Sequence, residues 1–135
     1  MIVLILSLVL ITGATYSLIP YVDEKIDKYI LYLCLLGQLF SGSGILFSPF
    51  LREIGHYFFG IMLVIISFIS RNNYILLFSI FILLYAMISR KILGGCMYNL
   101  MDEYSLVPQI PLNITYDHVY ILTIFKILHR LYTLN

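Results

Sequence analysis

The chain has 135 residues, of which 61% are hydrophobic and only 11% are charged, and its formal net charge is +1. Soluble domains average about 45–50% apolar and about 25% charged residues, so this composition excludes an ordinary water-soluble fold. The absence of a basic run also argues against nucleic acid as a partner. We therefore expect the lipid bilayer to be the main partner.

Four apolar stretches fill the chain up to Arg90. A helix of roughly 20 apolar residues, rising about 1.5 Å per residue, crosses a hydrocarbon core of about 30 Å. Pro20 ends the first stretch, because proline cannot continue the hydrogen-bond ladder of a helix. We predict membrane-spanning helices over residues 2–20, 29–47, about 52–70, and 74–89.

The first link, residues 21–28, is the most highly charged part of the chain. It contains Asp23, Glu24, Lys25, Asp27 and Lys28. Because ionised side chains are costly inside a bilayer, the sequence predicts a water-exposed turn here. The third link, residues 71–73, is so short that it predicts an antiparallel helical hairpin.

The second stretch carries a face of small residues. Gly37, Ser41 and Gly44 recur at helical spacing, and Gln38 lies one residue round from them. Small residues let helix backbones approach closely in lipid, where packing and hydrogen bonds drive association. We predict a helix-packing face formed by Gly37, Gln38, Ser41 and Gly44. As an alternative, Gln38, Ser41 and Ser43 would line a polar path through the membrane.

Charged residues stand at the beginning of the third stretch. Arg52, Glu53 and His56 fall within about one helical turn. We predict that they mark the headgroup level, where Arg52 snorkels to water. A titrating Glu53–His56 pair that handles protons is the functional alternative.

The tail contains one amphipathic segment, at about residues 117–132. Its apolar residues recur with the 3.6-residue period of a helix, while His118, Lys126 and Arg130 gather mainly on the other face. Val119–Tyr132 would be only about 21 Å long, short for a crossing. We predict an interfacial helix that docks against a partner through Ile121, Phe125 and Leu128. A fifth, tilted crossing is the alternative.

The basic residues near the spans give the orientation. With four crossings, the side that holds the two termini carries more basic residues than the other side. The positive-inside rule then favours both termini on the cytoplasmic, virion-interior or matrix side.

A short segment after the fourth stretch carries a resemblance. Arg90-Lys91-Ile92-Leu93-Gly94-Gly95-Cys96, followed by Asp102-Glu103, resembles a pattern in small multi-span membrane proteins of large nucleocytoplasmic DNA viruses. The similarity covers about a tenth of the chain. It implies a protein of the membrane beneath a viral capsid and assigns no active residue.

Together these patterns predict an all-α, polytopic integral membrane protein. Residues 1–90 would form a four-helix transmembrane region, and residues 91–135 a juxtamembrane tail with an interfacial amphipathic helix. No catalytic, metal-binding or cofactor-binding pattern is present in the sequence. We predict a structural or assembly component of a membrane-embedded complex, in a virion internal membrane or an organellar inner membrane. A small oligomeric channel or transporter and an accessory subunit of a respiratory complex are the alternatives.

Overall fold

The computed structural model of the protein describes residues 2–94 and 113–134, except for the side chains of residues 113–116. Residues 95, 96, 102 and 103 of the segment that carries the resemblance lie outside these ranges. The described residues form helices and no strand, which confirms the all-α prediction. The helices are α1 Ile2–Leu18, α2 Lys25–Phe47, α3 Pro49–Ile69, α4 Asn73–Leu93 and α5 Asn113–Leu134, with a 3₁₀ turn at Ile19–Tyr21.

The first four helices are long and apolar enough to cross a membrane, which confirms the predicted polytopic architecture. They run alternately up and down, so their links gather at two ends of the bundle. We call these the Arg90 end, which holds the α2–α3 link, and the Ser70 end, which holds the α1–α2 and α3–α4 links. Their large apolar side chains are widely exposed on the outer faces, as contact with lipid acyl chains requires.

The link between α2 and α3 is a single residue, Ser48, in an extended conformation. Its amide donates to the Gly44 carbonyl at 3.1 Å and closes α2. Its hydroxyl accepts from the Leu51 amide at 3.5 Å and so caps α3. Pro49 takes the first position of α3, where its missing amide hydrogen costs nothing. The third helix therefore begins at Pro49, three residues before the predicted start, and α2 and α3 form a tight hairpin.

Asn72 connects the two links at the Ser70 end. Its side-chain oxygen accepts from the amides of Tyr74 and Ile75, at 2.9 and 3.3 Å, and caps α4. Its side-chain nitrogen donates to the Tyr21 carbonyl at 3.2 Å, which joins the α1–α2 link to the α3–α4 link. The predicted antiparallel hairpin of the third and fourth helices is present. At the other end of α4, Gly94 adopts the left-handed conformation (φ 74°) that commonly terminates a helix.

The predicted water-exposed turn over residues 21–28 is only partly right. Helix α2 begins at Lys25, so the last four residues of the charged link belong to its first turn. Asp23 and Glu24 are exposed, but Asp27 is only 1% exposed. The first turn of α2 therefore carries one carboxyl of the charged link into the bundle, whereas Asp23 and Glu24 remain outside it.

The apolar core lies between α2, α3, α4 and α5. Its buried residues come from all four helices, from α1 and from the α1–α2 link: Ile11, Val22, Ile30, Leu31, Cys34, Phe59, Leu63, Ile66, Ile75, Leu76, Ile82, Leu83 and Ile127. The predicted C-terminal helix is present and is longer than the sequence indicates at both ends. Ile127 places it within this core.

Candidate functional site: polar contacts between the helices

The closest helix contact is the seam between α2 and α3, and glycine makes it possible. A methyl group added to Gly37 would lie 3.1 Å from the Gly55 carbonyl oxygen and 3.2 Å from the Phe59 amide nitrogen. One added to Gly55 would lie 2.5 Å from the Gly37 carbonyl oxygen and 2.7 Å from the Ser41 hydroxyl. The two backbones are therefore packed against each other with no room for a side chain.

The other small residues of the second stretch belong to the same seam. A methyl group on Gly44 would overlap the backbone of Arg52. The Ser41 hydroxyl donates to the Arg52 carbonyl at 3.3 Å, and Ser41 is almost fully buried. The structure thus brings Gly37, Ser41 and Gly44 together against α3. Gly55, which the sequence pattern did not single out, lies opposite Gly37 and Ser41, whereas Gly44 packs against Arg52.

Arg52 and Glu53, two charged residues near the beginning of α3, are buried within the bundle. Arg52 is 2% exposed and Glu53 is 0% exposed, so the prediction that Arg52 snorkels to water is wrong. The Arg52 Nε lies 4.0 Å from the Glu53 Oε1, and this ion pair offsets part of the cost of burying both charges. The tight turn at Ser48 brings the backbone of Arg52 against Gly44 of α2. His56 stacks on Tyr57, with ring centroids 5.4 Å apart.

Gln38 joins α2 to α1 near the middle of the bundle. Its side-chain nitrogen donates to the Thr15 hydroxyl oxygen at 3.0 Å, and both residues are buried. The Thr15 hydroxyl donates in turn to the Ile11 carbonyl at 2.7 Å. Because this bond uses the hydroxyl hydrogen, Thr15 must accept from Gln38, which fixes the direction of the contact. Thr15 is a partner that the sequence argument missed, since a threonine in an apolar stretch satisfies itself within its own helix.

A double-mutant cycle tests the Gln38–Thr15 contact. We expect Gln38→Leu and Thr15→Val each to lower thermal stability in detergent, with a coupling energy of about 0.6 kcal/mol, typical of hydrogen bonds between membrane helices. The buried thiol of Cys34 reports unfolding through its reaction with a fluorescent maleimide, once Cys96 is replaced by serine. Ser17→Ala is the matched control, because the Ser17 hydroxyl donates only within α1, to Gly13, and is exposed. Additive losses from the two variants would contradict the contact.

The three residues of the predicted polar path do not share one surface. Ser41 faces α3, whereas Ser43 and Gln38 line a groove of about 310 Å³ between α1 and α2. Successive residues of a helix are about 100° apart, so Ser41 and Ser43 point to nearly opposite sides. The groove is open to the outside of the bundle. Its walls are mainly apolar, and its remaining lining residues are Leu8, Val9, Thr12, Leu39 and Gly42.

Helix α5 makes polar contacts at both of its ends. Its Asp117 forms an ion pair with Arg90 near the end of α4, at 3.5 Å. Its Arg130 donates to the last carbonyls of α3: to Ser67 at 3.3 Å, to Ile69 at 3.5 Å, and to Phe68. A cation at a helix C-terminus satisfies unpaired carbonyls and opposes the negative end of the helix dipole.

Arg130 also interacts electrostatically with the buried carboxyl group of Asp27. Burial and the nearby Glu24 disfavour a negative charge on Asp27, whereas Ser70 and Arg130 favour it. Among the described residues, no hydrogen bond reaches either carboxyl oxygen of Asp27. Asp27, Ser70 and Arg130 therefore form a polar cluster in which α2, α3 and α5 meet at the Ser70 end.

The predicted docking residues Ile121, Phe125 and Leu128 lie on the outer face of α5, and all three are exposed. The opposite face carries Thr123 and Ile127, which are buried against the bundle. The helix thus turns one side to the other helices and leaves an apolar side uncovered.

No protein-family model, curated protein or solved structure matches this chain.

Proposed function

We propose that this protein is a structural or assembly component of a membrane-embedded complex. The observation that carries the proposal is that polar side chains form hydrogen bonds between neighbouring helices. Gln38, Ser41 and Arg130 each bind a neighbouring helix. Polar groups used in this way fix helices in one arrangement, which is what a scaffold requires.

The exposed apolar faces supply the surface for assembly. Lipid covers these faces in the isolated protein, and a membrane partner replaces the lipid in the complex. Ile121, Phe125 and Leu128 are the residues that we propose for such a contact. In this role the chain catalyses no reaction of its own.

The resemblance of the segment after α4 supports a viral setting for this role. The protein would then be a component of the virion internal membrane, associated with the minor proteins of the capsid above it. This location follows from the resemblance, whereas the scaffold role follows from the helix contacts.

A small oligomeric channel is the second candidate function. The groove between α1 and α2 favours it, because Thr12 and Ser43 bring polar groups to an outward-facing surface and Gln38 lies beneath them. Several copies arranged around an axis would turn these grooves toward a common path. The side-chain nitrogen of Gln38 is already bonded to Thr15, however, which favours the scaffold.

Ion flux through liposomes separates the two functions. We expect the purified protein, reconstituted at several protein-to-lipid ratios, to carry no more flux than empty liposomes. The scaffold proposal is contradicted by flux that rises with protein and that Gln38→Leu abolishes. Leu39→Met is the matched control, because it alters the same groove without changing its polar groups.

A further inference from the structure

Helix α5 extends along the whole bundle. Near its beginning, Asp117 pairs with Arg90 at the end of α4. Near its end, Arg130 reaches the last carbonyls of α3, beside the α3–α4 link. These contacts lie at opposite ends of the bundle, so α5 runs antiparallel to α4 from the Arg90 end to the Ser70 end.

A helix that rests in the membrane interface would make a different set of contacts. It lies in the plane of the membrane, roughly perpendicular to the spanning helices, and touches only one end of the bundle. Helix α5 instead buries Thr123 and Ile127 between its two polar ends. Because α4 is long and apolar enough to cross the membrane, a helix that follows it from end to end occupies the same bilayer.

The length of α5 fits a crossing. Its 22 residues span about 33 Å at about 1.5 Å per residue, against a hydrocarbon core of about 30 Å. The amphipathic pattern in the sequence predicts only Val119–Tyr132. The residues of α5 on either side of this segment supply the remaining length. Composition alone does not mark α5 as a span, because its charged residues lower its hydropathy.

The charges of α5 are placed as a crossing requires. Asp117 lies near one end, and Arg130 near the other is bonded to the bundle. Lys126 lies deeper, but its ammonium is 5.9 Å from the ring centroid of Phe68, in the last turn of α3. The side chain therefore carries its charge toward the Ser70 end, as snorkelling lysines do. Between Asp117 and Lys126 there is no Asp, Glu, Lys or Arg, and the single histidine, His118, directly follows Asp117.

We infer that α5 is a fifth membrane-spanning helix whose exposed apolar face contacts lipid acyl chains. The two chain termini then lie on opposite sides of the membrane. The inference does not rest on the proposed function. It does imply that a partner reaches Ile121, Phe125 and Leu128 from within the bilayer and not from water.

A fifth crossing also changes the expected orientation. The Arg90 end holds Arg52, Arg90 and Lys91. The Ser70 end gains two basic residues from α5, and its set is Lys25, Lys28, Arg71, Lys126 and Arg130. The positive-inside rule then favours the Ser70 end, with the C-terminus, on the cytoplasmic or equivalent side.

Cysteine labelling from one side of the membrane tests the crossing. The native cysteines are first removed as Cys34→Ala and Cys96→Ser. Three single-cysteine variants are then made: Ile2→Cys for the Arg90 end, Asp23→Cys for the Ser70 end, and Leu134→Cys for the C-terminus. A membrane-impermeant maleimide is added to sealed vesicles of one orientation. We expect Leu134→Cys to label from the same side as Asp23→Cys, and Ile2→Cys only from the other side. Labelling of Leu134→Cys together with Ile2→Cys would overturn the inference.

A spin label gives a second readout that does not depend on vesicle sidedness. A nitroxide at Phe125→Cys, in the middle of α5, should be more accessible to oxygen, which concentrates in lipid, than to a water-soluble nickel chelate. A nitroxide at Leu134→Cys should show the reverse preference. An interfacial helix would instead give Phe125→Cys and Leu134→Cys the same shallow depth, and this result would also overturn the inference.

Discussion

Replacing Gly55 with alanine is expected to destabilise the bundle by about 1–3 kcal/mol, the usual cost of adding atoms to a well-packed contact. The added methyl would lie 2.5 Å from the Gly37 carbonyl oxygen and closer still to the Ser41 amide. Both are backbone atoms, which a side-chain rotation cannot move. Helices α2 and α3 must therefore separate, and the Ser41–Arg52 bond is strained as they do. A larger residue, as in Gly55→Leu, should increase the loss.

Gly60→Ala is the matched control for this prediction. Gly60 belongs to the same helix, but a methyl there would meet no atom within 4 Å. Alanine favours a helix interior over glycine by about 0.8–1.0 kcal/mol, so this variant should be as stable as the parent or slightly more so. The measurement is the temperature at which the buried Cys34 thiol becomes reactive in detergent. Equal shifts for Gly55→Ala and Gly60→Ala would contradict the account of the seam.

Replacing Arg130 with methionine is expected to release α5 from the Ser70 end. The change removes the hydrogen bonds to the α3 carbonyls and the cation that faces Asp27. Hydrogen bonds to a charged group typically contribute about 1.5–3 kcal/mol, and we expect a loss of that order. The same thiol-reactivity assay measures it.

Two further variants identify the cause of that loss. Lys126→Met removes a cation one turn away whose contact with the Phe68 ring contributes about 0.5–1 kcal/mol at an exposed site, so its effect should be smaller. Asp27→Asn, added to Arg130→Met, should restore part of the stability because it removes the carboxylate left without its cation. If Arg130→Met loses no more stability than Lys126→Met, Arg130 does not hold α5 in place.

The number and helical nature of the spans could be predicted because each apolar stretch is long and the links between them are short. The spacing of Gly37, Ser41 and Gly44 likewise indicated which face of the second helix consists of small residues. The face of α3 that packs against these residues could not be predicted from residue spacing. Gly55 is a lone small residue among large ones, and only the tight turn at Ser48 brings it opposite Ser41.

The errors in placing the charged residues share one physical cause. From the sequence alone, each charge is expected in water, since an unpaired charge is costly in lipid. Arg52 and Glu53 are buried as an ion pair, and Asp27 is buried near Ser70 and Arg130. Ser70 and Arg130 are distant from Asp27 in the chain. Hydropathy along a sequence cannot register such neighbours, so it assigns these buried charges to water.

The proposal of a scaffold is tested most directly by extracting the native membrane with a mild detergent and determining the mass of the species that contains this chain. Mass analysis of the co-eluting proteins then identifies its partners. We predict one defined assembly in which the chain is present in a fixed ratio to other membrane or capsid proteins. A chain that elutes alone, or only with copies of itself, would contradict the proposal.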